Sequence, residues 1–219
     1  IVGLFTALHY QRRYPQRRVL VLERGSYPNG ASVKNAGFAC FGSPSEILAD
    51  IDAEGLDRAL SRVEERWRGL CELRHELGDG AIGFEPTGGH ELYAPNDPLY
   101  NRVADRFDRL NEELGQVFHQ RVYDWQDERI NRFGLNAGHL AFTSLEGPVN
   151  SGSLMRTLLA RTTGSGVEVR FGQEVVALEE EALGACVRLA NGTTIRTGQV
   201  IVAINGYSAS LLPGIDVIP

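Results

Sequence analysis

The spacing between one glycine and one acid constrains this chain more than any other feature. Gly3 stands directly before a stretch of helical periodicity, in which Leu4, Ala7 and Leu8 share a face and which Pro15 ends. Val19–Leu22 then forms a continuous apolar run, the pattern of a strand buried on both faces in a parallel sheet. Glu23 closes that run 20 residues after Gly3. In a dinucleotide-binding βαβ unit this is the distance from the last glycine of the phosphate turn to the acid that accepts hydrogen bonds from a ribose. A lone glycine before a helix carries little, and a strand-end glutamate is commonly just solvated. The two at this separation, around an apolar run, point to a nucleotide site.

The rest of the chain supports an α/β organisation with an insertion. Residues 25–45 are rich in Gly, Ser, Asn and Pro and read as loop. Leu56, Leu60, Val63, Trp67, Leu70 and Arg74 follow helical spacing, and Gly78 supplies the stop. Residues 81–94 read as two short strands around Gly88-Gly89. Leu99, Val103, Phe107, Leu110 and Leu114 mark a second amphipathic helix, ended by Gly115. Strands are expected near Gln120–Tyr123 and His139–Thr143, and a helix over Ser153–Arg161 capped by Asn150 or Ser151. The C-terminal part reads as strands at Glu168–Phe171, Glu174–Leu178, Ala185–Leu189 and Thr193–Arg196, with Asn191-Gly192 as a hairpin turn. Val200–Ile204 is a second buried apolar run, broken by Asn205-Gly206, with a short helical turn through Leu212. This order describes an α/β nucleotide-binding unit carrying an inserted α+β segment.

Two further stretches carry chemistry. The loop Gly30–Cys40 combines small residues, which let backbone approach a phosphate or a planar ring, with Ser32 as a donor and Lys34 as a charge. An ordinary surface loop seldom also carries Phe38, Cys40 and Phe41. The turn after Val200–Ile204 lies where the carboxyl edge of a parallel sheet places ligands. Other classes are disfavoured. A net charge of −6 offers no basic field for nucleic acid. No apolar run approaches the roughly 20 residues of a membrane span. Three scattered cysteines give neither a disulfide framework nor a metal site, and a reducing, cytoplasmic compartment is the default expectation. Cys71 and Cys186 read as small buried apolar residues.

The segments IVGLFTALHY, VLVLERG, GASVKNAGFA and VIVAINGYSASLLP resemble the D-amino-acid oxidase and glycine oxidase superfamily of FAD enzymes. The resemblance covers both ends of the chain, about half its length, and residues 80–145 match only in general layout. It implies a Rossmann-like FAD-binding domain with a parallel sheet, formed by residues 1–78 and 147–219. Residues 79–146 would be part of an inserted α+β substrate domain. The first strand and the first two motif glycines are not in the sequence, and the family's C-terminal region is also expected to lie outside it. A portion of a longer enzyme, unable to hold FAD tightly by itself, is the expectation.

The resemblance also implies roles. Gly3 would pack near the pyrophosphate, Glu23 would bind the adenosine ribose with Arg24 beside it, and Ser32 would touch the pyrophosphate. Lys34, Asn35, Ala36 and Gly37 would run along the flavin. The backbone of Val175 would hold the adenine, and Ala203, Asn205 and Gly206 would line the adenosine side. Cys40 would lie near the flavin. The reaction implied is removal of a hydride from the carbon beside an amine or hydroxyl, with flavin as acceptor and oxygen or another acceptor reoxidising it. The small-molecule substrate is thus an amino acid or related amine, or alternatively a 2-hydroxy acid, whose oxidation would want a base. His90, with Tyr93 nearby, is the candidate catalytic pair. His9, His75, His119 and His139 read as surface or packing residues, and the acids of 124–128 as a solvated face. Two other readings stay open: a non-catalytic nucleotide-binding fragment, and an NAD enzyme, since Glu23 suits either ribose.

Overall fold

A computed structural model of the chain describes residues 1–212 and 214. In chain order the elements are α1 (Val2–Arg13), β1 (Leu20–Leu22), β2 (Phe38–Ala39), α2 (Pro44–Glu54), α3 (Leu56–Leu77), α4 (Asp79–Ile82) and β3 (Gly89–Tyr93). There follow α5 (Pro98–Ala104), α6 (Phe107–Phe118), β4 (Asp124–Trp125), α7 (Glu128–Phe133), β5 (His139–Thr143) and β6 (Gly147–Pro148). The chain continues with α8 (Ser151–Gly164), β7 (Glu168–Arg170), β8 (Val175–Glu181), β9 (Gly184–Leu189), β10 (Thr194–Thr197) and a 3-10 turn at Asn205–Ser210. Among the described residues, no helix is long and apolar enough to cross a membrane.

The chain forms two compact units, residues 1–35 with 151–219, and residues 36–150. In the first, β1 pairs in parallel with β7, Leu20 facing Glu168 and Leu22 facing Arg170. Helix α1 buries Leu4, Ala7 and Leu8, and α8 buries Leu154, Met155 and Leu158. Strands β8, β9 and β10 form an antiparallel meander with Asn191-Gly192 in the turn between the last two. In the second unit β5 lies between β3 and β4, antiparallel to both. One apolar cluster, built around Phe41, Ile47, Val63, Tyr93, Phe107 and Tyr123, joins this sheet region to α2, α3, α5 and α6.

Several elements differ from the sequence expectation, each for a packing reason. Val200–Ile204 is not a strand: no described strand pairs with it, and Ile201 is 63% exposed. An apolar run becomes a buried strand only when a neighbour takes up its backbone groups. Residues 81–94 hold one strand, β3, preceded by α4 and an irregular stretch. The expected 99–114 helix is two helices, broken at Asp105–Arg106, and continues to Phe118. Both halves bury their apolar face in the same cluster, while Asp52 accepts from Arg102 and Arg106 across the break. The strand expected at Gln120–Tyr123 lies at Asp124–Trp125, because Asn111 takes the N–H groups of Val122 and Tyr123. Residues 25–45 contain β2 and the start of α2, whose N-terminus is fixed by Pro44 and by the Ser43 N–H donating to Glu46. Cys186 is buried as expected, but Cys71 is exposed on the solvent side of α3.

The long helix α3 ends at Gly78, and its face packs in the second unit rather than in the first. The compact units divide at 35/36 and 150/151. Gly147 is held by close backbone: a Cβ would stand 2.1 Å from the Glu85 carbonyl oxygen. Gly147→Ala is expected to cost about 2 kcal/mol by overpacking, measured as a lowered thermal midpoint; an unchanged midpoint would mean the 85–147 approach relaxes freely.

Candidate functional site

In the first unit, the sequence places a glycine, an acid and a serine near one helix start, and the fold brings them together. Helix α1 has no side-chain cap and no acid in its first turn, so its leading N–H groups face no carboxylate of their own helix. The Ile1 nitrogen donates to Ser32 Oγ at 3.0 Å. Gly3 sits so close to the 203 segment that a Cβ there would be 3.3 Å from the Ala203 Cβ. Glu23 extends β1: its N–H donates to Arg170 at 2.9 Å, and its carbonyl accepts from Gln173 at 2.9 Å. This brings the start of β8, with half-buried Val175, beside it. The Glu23 carboxylate accepts the Gly25 N–H at 2.8 Å through one oxygen. Glu23 also lies close enough to Ile1 for its charge to be felt there. Arg24 lies over the Tyr207 ring at 5.1 Å, next to Asn205 and Gly206 in the 3-10 turn.

The remaining expected cofactor residues are arranged differently. Lys34 is exposed. Asn35 bonds Ala31 and accepts from Ser151 Oγ at 2.7 Å, which ties the loop to the start of α8. Ala36 and Gly37 belong to the second unit, where the Gly37 carbonyl accepts from Val149 at 2.7 Å.

In the second unit, a half-buried acid, Glu91, and a buried one, Glu146, organise the residues around the candidate catalytic pair. Tyr93 is 1% exposed, and its hydroxyl donates to Glu91. Glu91 also accepts from Ser43 Oγ at 3.0 Å, from the Ser45 N–H at 3.1 Å and from Ser45 Oγ. Burial, then the bond and charge of Glu91, hold the Tyr93 hydroxyl far above its usual range, so it stays a proton donor that positions Glu91. Glu146 accepts the N–H groups of Phe41 at 2.8 Å and Gly42 at 3.4 Å. Tyr123 donates to the Gly42 carbonyl and Arg66 to the Phe41 carbonyl. Burial pushes the Glu146 carboxyl up to about 7, against the opposing pull of those two N–H groups. Cys40 beside it is exposed, and desolvation followed by the Glu146 and Glu46 charges raises its thiol.

His90 points to the other side of the sheet and is exposed. It therefore does not join Tyr93, because neighbours in a strand separated by an odd number face opposite sides. Its ring packs on Phe142 and Phe133, and burial followed by the Arg129 charge lowers its proton affinity. His139 stacks on Tyr100 at 3.5 Å and meets Asp127, a packing role. The acids of 124–128 are exposed, as a solvated face requires, while Asp124 pairs with Arg121 and Asp127 accepts the Leu140 N–H. Glu146, Arg129 and Tyr207 carry no local sequence signal beyond their own residue type.

The sequence model for FAD dependent oxidoreductase matches residues 1–219. No curated protein sequence is significantly similar to the chain. Solved structures share its fold. Glycine oxidase from Geobacillus kaustophilus superposes with a TM-score of 0.63 at 20% identity, over 95% of this chain and 54% of that one. Iminodiacetate oxidase from Chelativorans sp. BNC1 gives 0.66 at 18%, over 95% and 54%. The L-amino acid deaminase from Proteus vulgaris with its specific insertion sequence deleted gives 0.67 at 19%, over 95% and 52%. The chain thus spans about half the length of these structures. With the match running along its whole length, the chain belongs to the DAO family of FAD dependent oxidoreductases.

Proposed function

We propose that the protein containing this chain oxidises an amino acid or a related amine, with FAD as its cofactor and a small molecule such as oxygen as the final acceptor. The observation that carries the site is the convergence of the α1 start, Ser32 and Glu23 in one unit. These groups fit a dinucleotide. Uncapped N–H groups at a helix start suit a pyrophosphate, and the close Gly3–Ala203 approach leaves the helix start free of side-chain bulk. The second Glu23 oxygen, not used by Gly25, suits a ribose hydroxyl. Ser32 would donate to the pyrophosphate, Arg24 and Tyr207 would flank the adenosine with Ala203, Asn205 and Gly206, and the Val175 backbone would take the adenine edge. Lys34, Asn35, Ala36 and Gly37 would follow the flavin. When bound, FAD supplies a two-electron acceptor, and the chain's own residues bind and orient it. His90 is the one candidate here for moving a proton near substrate, since Tyr93 is held by Glu91.

Absorbance of the purified full-length protein tests this reading. Bands near roughly 370 and 450 nm are expected from bound flavin, bleached by the right amino acid under anaerobic conditions. Glu23→Ala is expected to weaken FAD binding roughly tenfold or more, the worth of a charged hydrogen bond. A full-length protein that stays colourless with added FAD would overturn the proposal.

A further inference from the structure

The end of α1 and the turn after it concentrate positive charge that the nucleotide site does not use. Residues 1–22 hold four arginines, Arg12, Arg13, Arg17 and Arg18, and no acid, in a chain whose net charge is −6. All four arginines are exposed. Tyr14, between the two pairs, is 44% exposed. Its ring packs on Tyr10 at 4.9 Å, and the Arg13 guanidinium stands 5.8 Å from its centre. The turn itself is tied down. Gln11, buried on α1, donates to the Pro15 carbonyl at 3.2 Å, and the Arg17 N–H donates to the Tyr14 carbonyl at 2.9 Å. The arginines are thus displayed from a held backbone.

Helix chemistry accounts for only part of this charge. Arg12 and Arg13 lie in the last turn of α1, where cations suit the negative end of a helix. Arg17 and Arg18 lie beyond the helix, outside the reach of that effect. Among the described residues, no carboxylate pairs with Arg13, Arg17 or Arg18. Pro15, Arg17 and Arg18 also line a recess of about 430 Å³, closed on its other side by Ser165 and Glu168 past the end of α8. The Glu168 carboxylate is engaged by Arg170 at 2.7 Å. The recess therefore offers guanidinium groups without a counter-charge, a match for a phosphate group. An exposed tyrosine beside arginines suits the boundary between water and lipid, with an apolar ring and a polar tip. A long nucleic acid would also meet the acidic remainder of the chain, whereas a lipid surface needs to meet only this patch.

We propose that this end of the first unit docks on an anionic lipid surface, with Arg13, Arg17 and Arg18 on lipid phosphates, Tyr14 at the interface and one headgroup phosphate in the recess. The contact is peripheral and electrostatic, and each arginine near a charged bilayer raises partition roughly fivefold. The groups that suit a dinucleotide lie at the start of α1, the opposite end of a 12-residue helix and about 18 Å away. Docking and flavin binding therefore do not compete, and either reading can fail without the other.

Co-sedimentation of the full-length protein with phosphatidylcholine vesicles, with and without phosphatidylglycerol, tests the proposal. Binding is expected only when phosphatidylglycerol is present, and it should fade as salt is raised, since exposed charges are screened. Replacing Arg13→Gln, Arg17→Gln and Arg18→Gln together is expected to weaken partition roughly a hundredfold. The same three positions changed to Lys should keep most of it, because a lipid surface reads charge; a loss as large as with Gln would show that altered packing, not charge, is responsible, and would overturn the proposal. A control with the same loss of charge elsewhere, the exposed Arg58→Gln, Arg68→Gln and Arg132→Gln, should bind nearly as the natural protein does. Equal loss in that control would mean that net charge alone governs binding and would overturn the assignment to this patch. So would equal sedimentation with pure phosphatidylcholine, or no sedimentation with phosphatidylglycerol. Retention of duplex DNA at the same salt, with the vesicles ignored, would give the patch to a different polyanion and overturn the lipid reading.

Discussion

Glu91→Ala is expected to destabilise the second unit by about 2 kcal/mol, the cost of losing hydrogen bonds to a half-buried charged group and of orphaning one buried hydroxyl. The Glu91 carboxylate joins β3 to the start of α2 by accepting from Ser43, Ser45 and Tyr93. Its loss leaves the Tyr93 hydroxyl, at 1% exposure, without an acceptor inside the core cluster. An orphaned buried donor costs its desolvation in full, which makes truncation worse than the mean value of the lost bonds. Glu91→Gln keeps one acceptor oxygen and should recover about half of the loss. Urea denaturation followed by the fluorescence of Trp67 and Trp125, both packed on this cluster, reads the difference. A midpoint unchanged in Glu91→Ala would show that Ser43, Ser45 and Tyr93 find other partners.

The second large effect depends on pH. The Glu146 carboxyl is pushed up from 4.5 to about 7, so the folded chain binds its proton more tightly than the unfolded chain does. The folded state is therefore favoured most at the acid end of this window. That advantage is lost as pH rises from about 4.5 through about 7, and amounts to about 3 kcal/mol. Glu146→Gln stays neutral throughout, while its amide oxygen can still accept from Phe41 and Gly42. Its stability should be nearly flat between about pH 5 and 8, and above that of the natural chain at pH 8. Parallel pH–stability curves for the two proteins would refute the assignment. The expected sign is opposite to that of a surface carboxylate such as Asp52, which Arg106 and Arg102 hold below its usual range.

The placing of Gly3 and Glu23 in one unit was legible in the sequence because its signals are local. Gly3 and Glu23 are linked by one helix and one strand, so their spacing survives folding. The end of α3 at Gly78 and the Asn191-Gly192 turn are likewise written in residues whose backbone preferences act in place. The Ser43-Pro44-Ser45-Glu46 cap of α2 is also local, but a reading by glycine and serine content passes over it. Other features depend on distant partners. Glu146 is an acid before a glycine until Phe41 and Gly42 arrive from a hundred residues away. Arg129 belongs to a charged segment until Phe142 packs beneath it. Val200–Ile204 has the composition of a core strand, yet strand formation is a property of two segments, not one.

The parallel pairing of β1 with β7 also sets an order of assembly. Leu20 and Glu168 are neighbours in space but about 150 residues apart along the chain. Closing so long a loop of unfolded chain costs several kcal/mol of entropy before any strand contact repays it. Residues 36–150 form a unit with its own core, so their prior folding shortens the floppy path between the two strands. During synthesis, residues 1–35 emerge before residues 151–219, which complete their unit, and must wait for them. Damage to the second unit, as in Glu91→Ala, should then slow the maturation of the first at residues that Glu91 never touches.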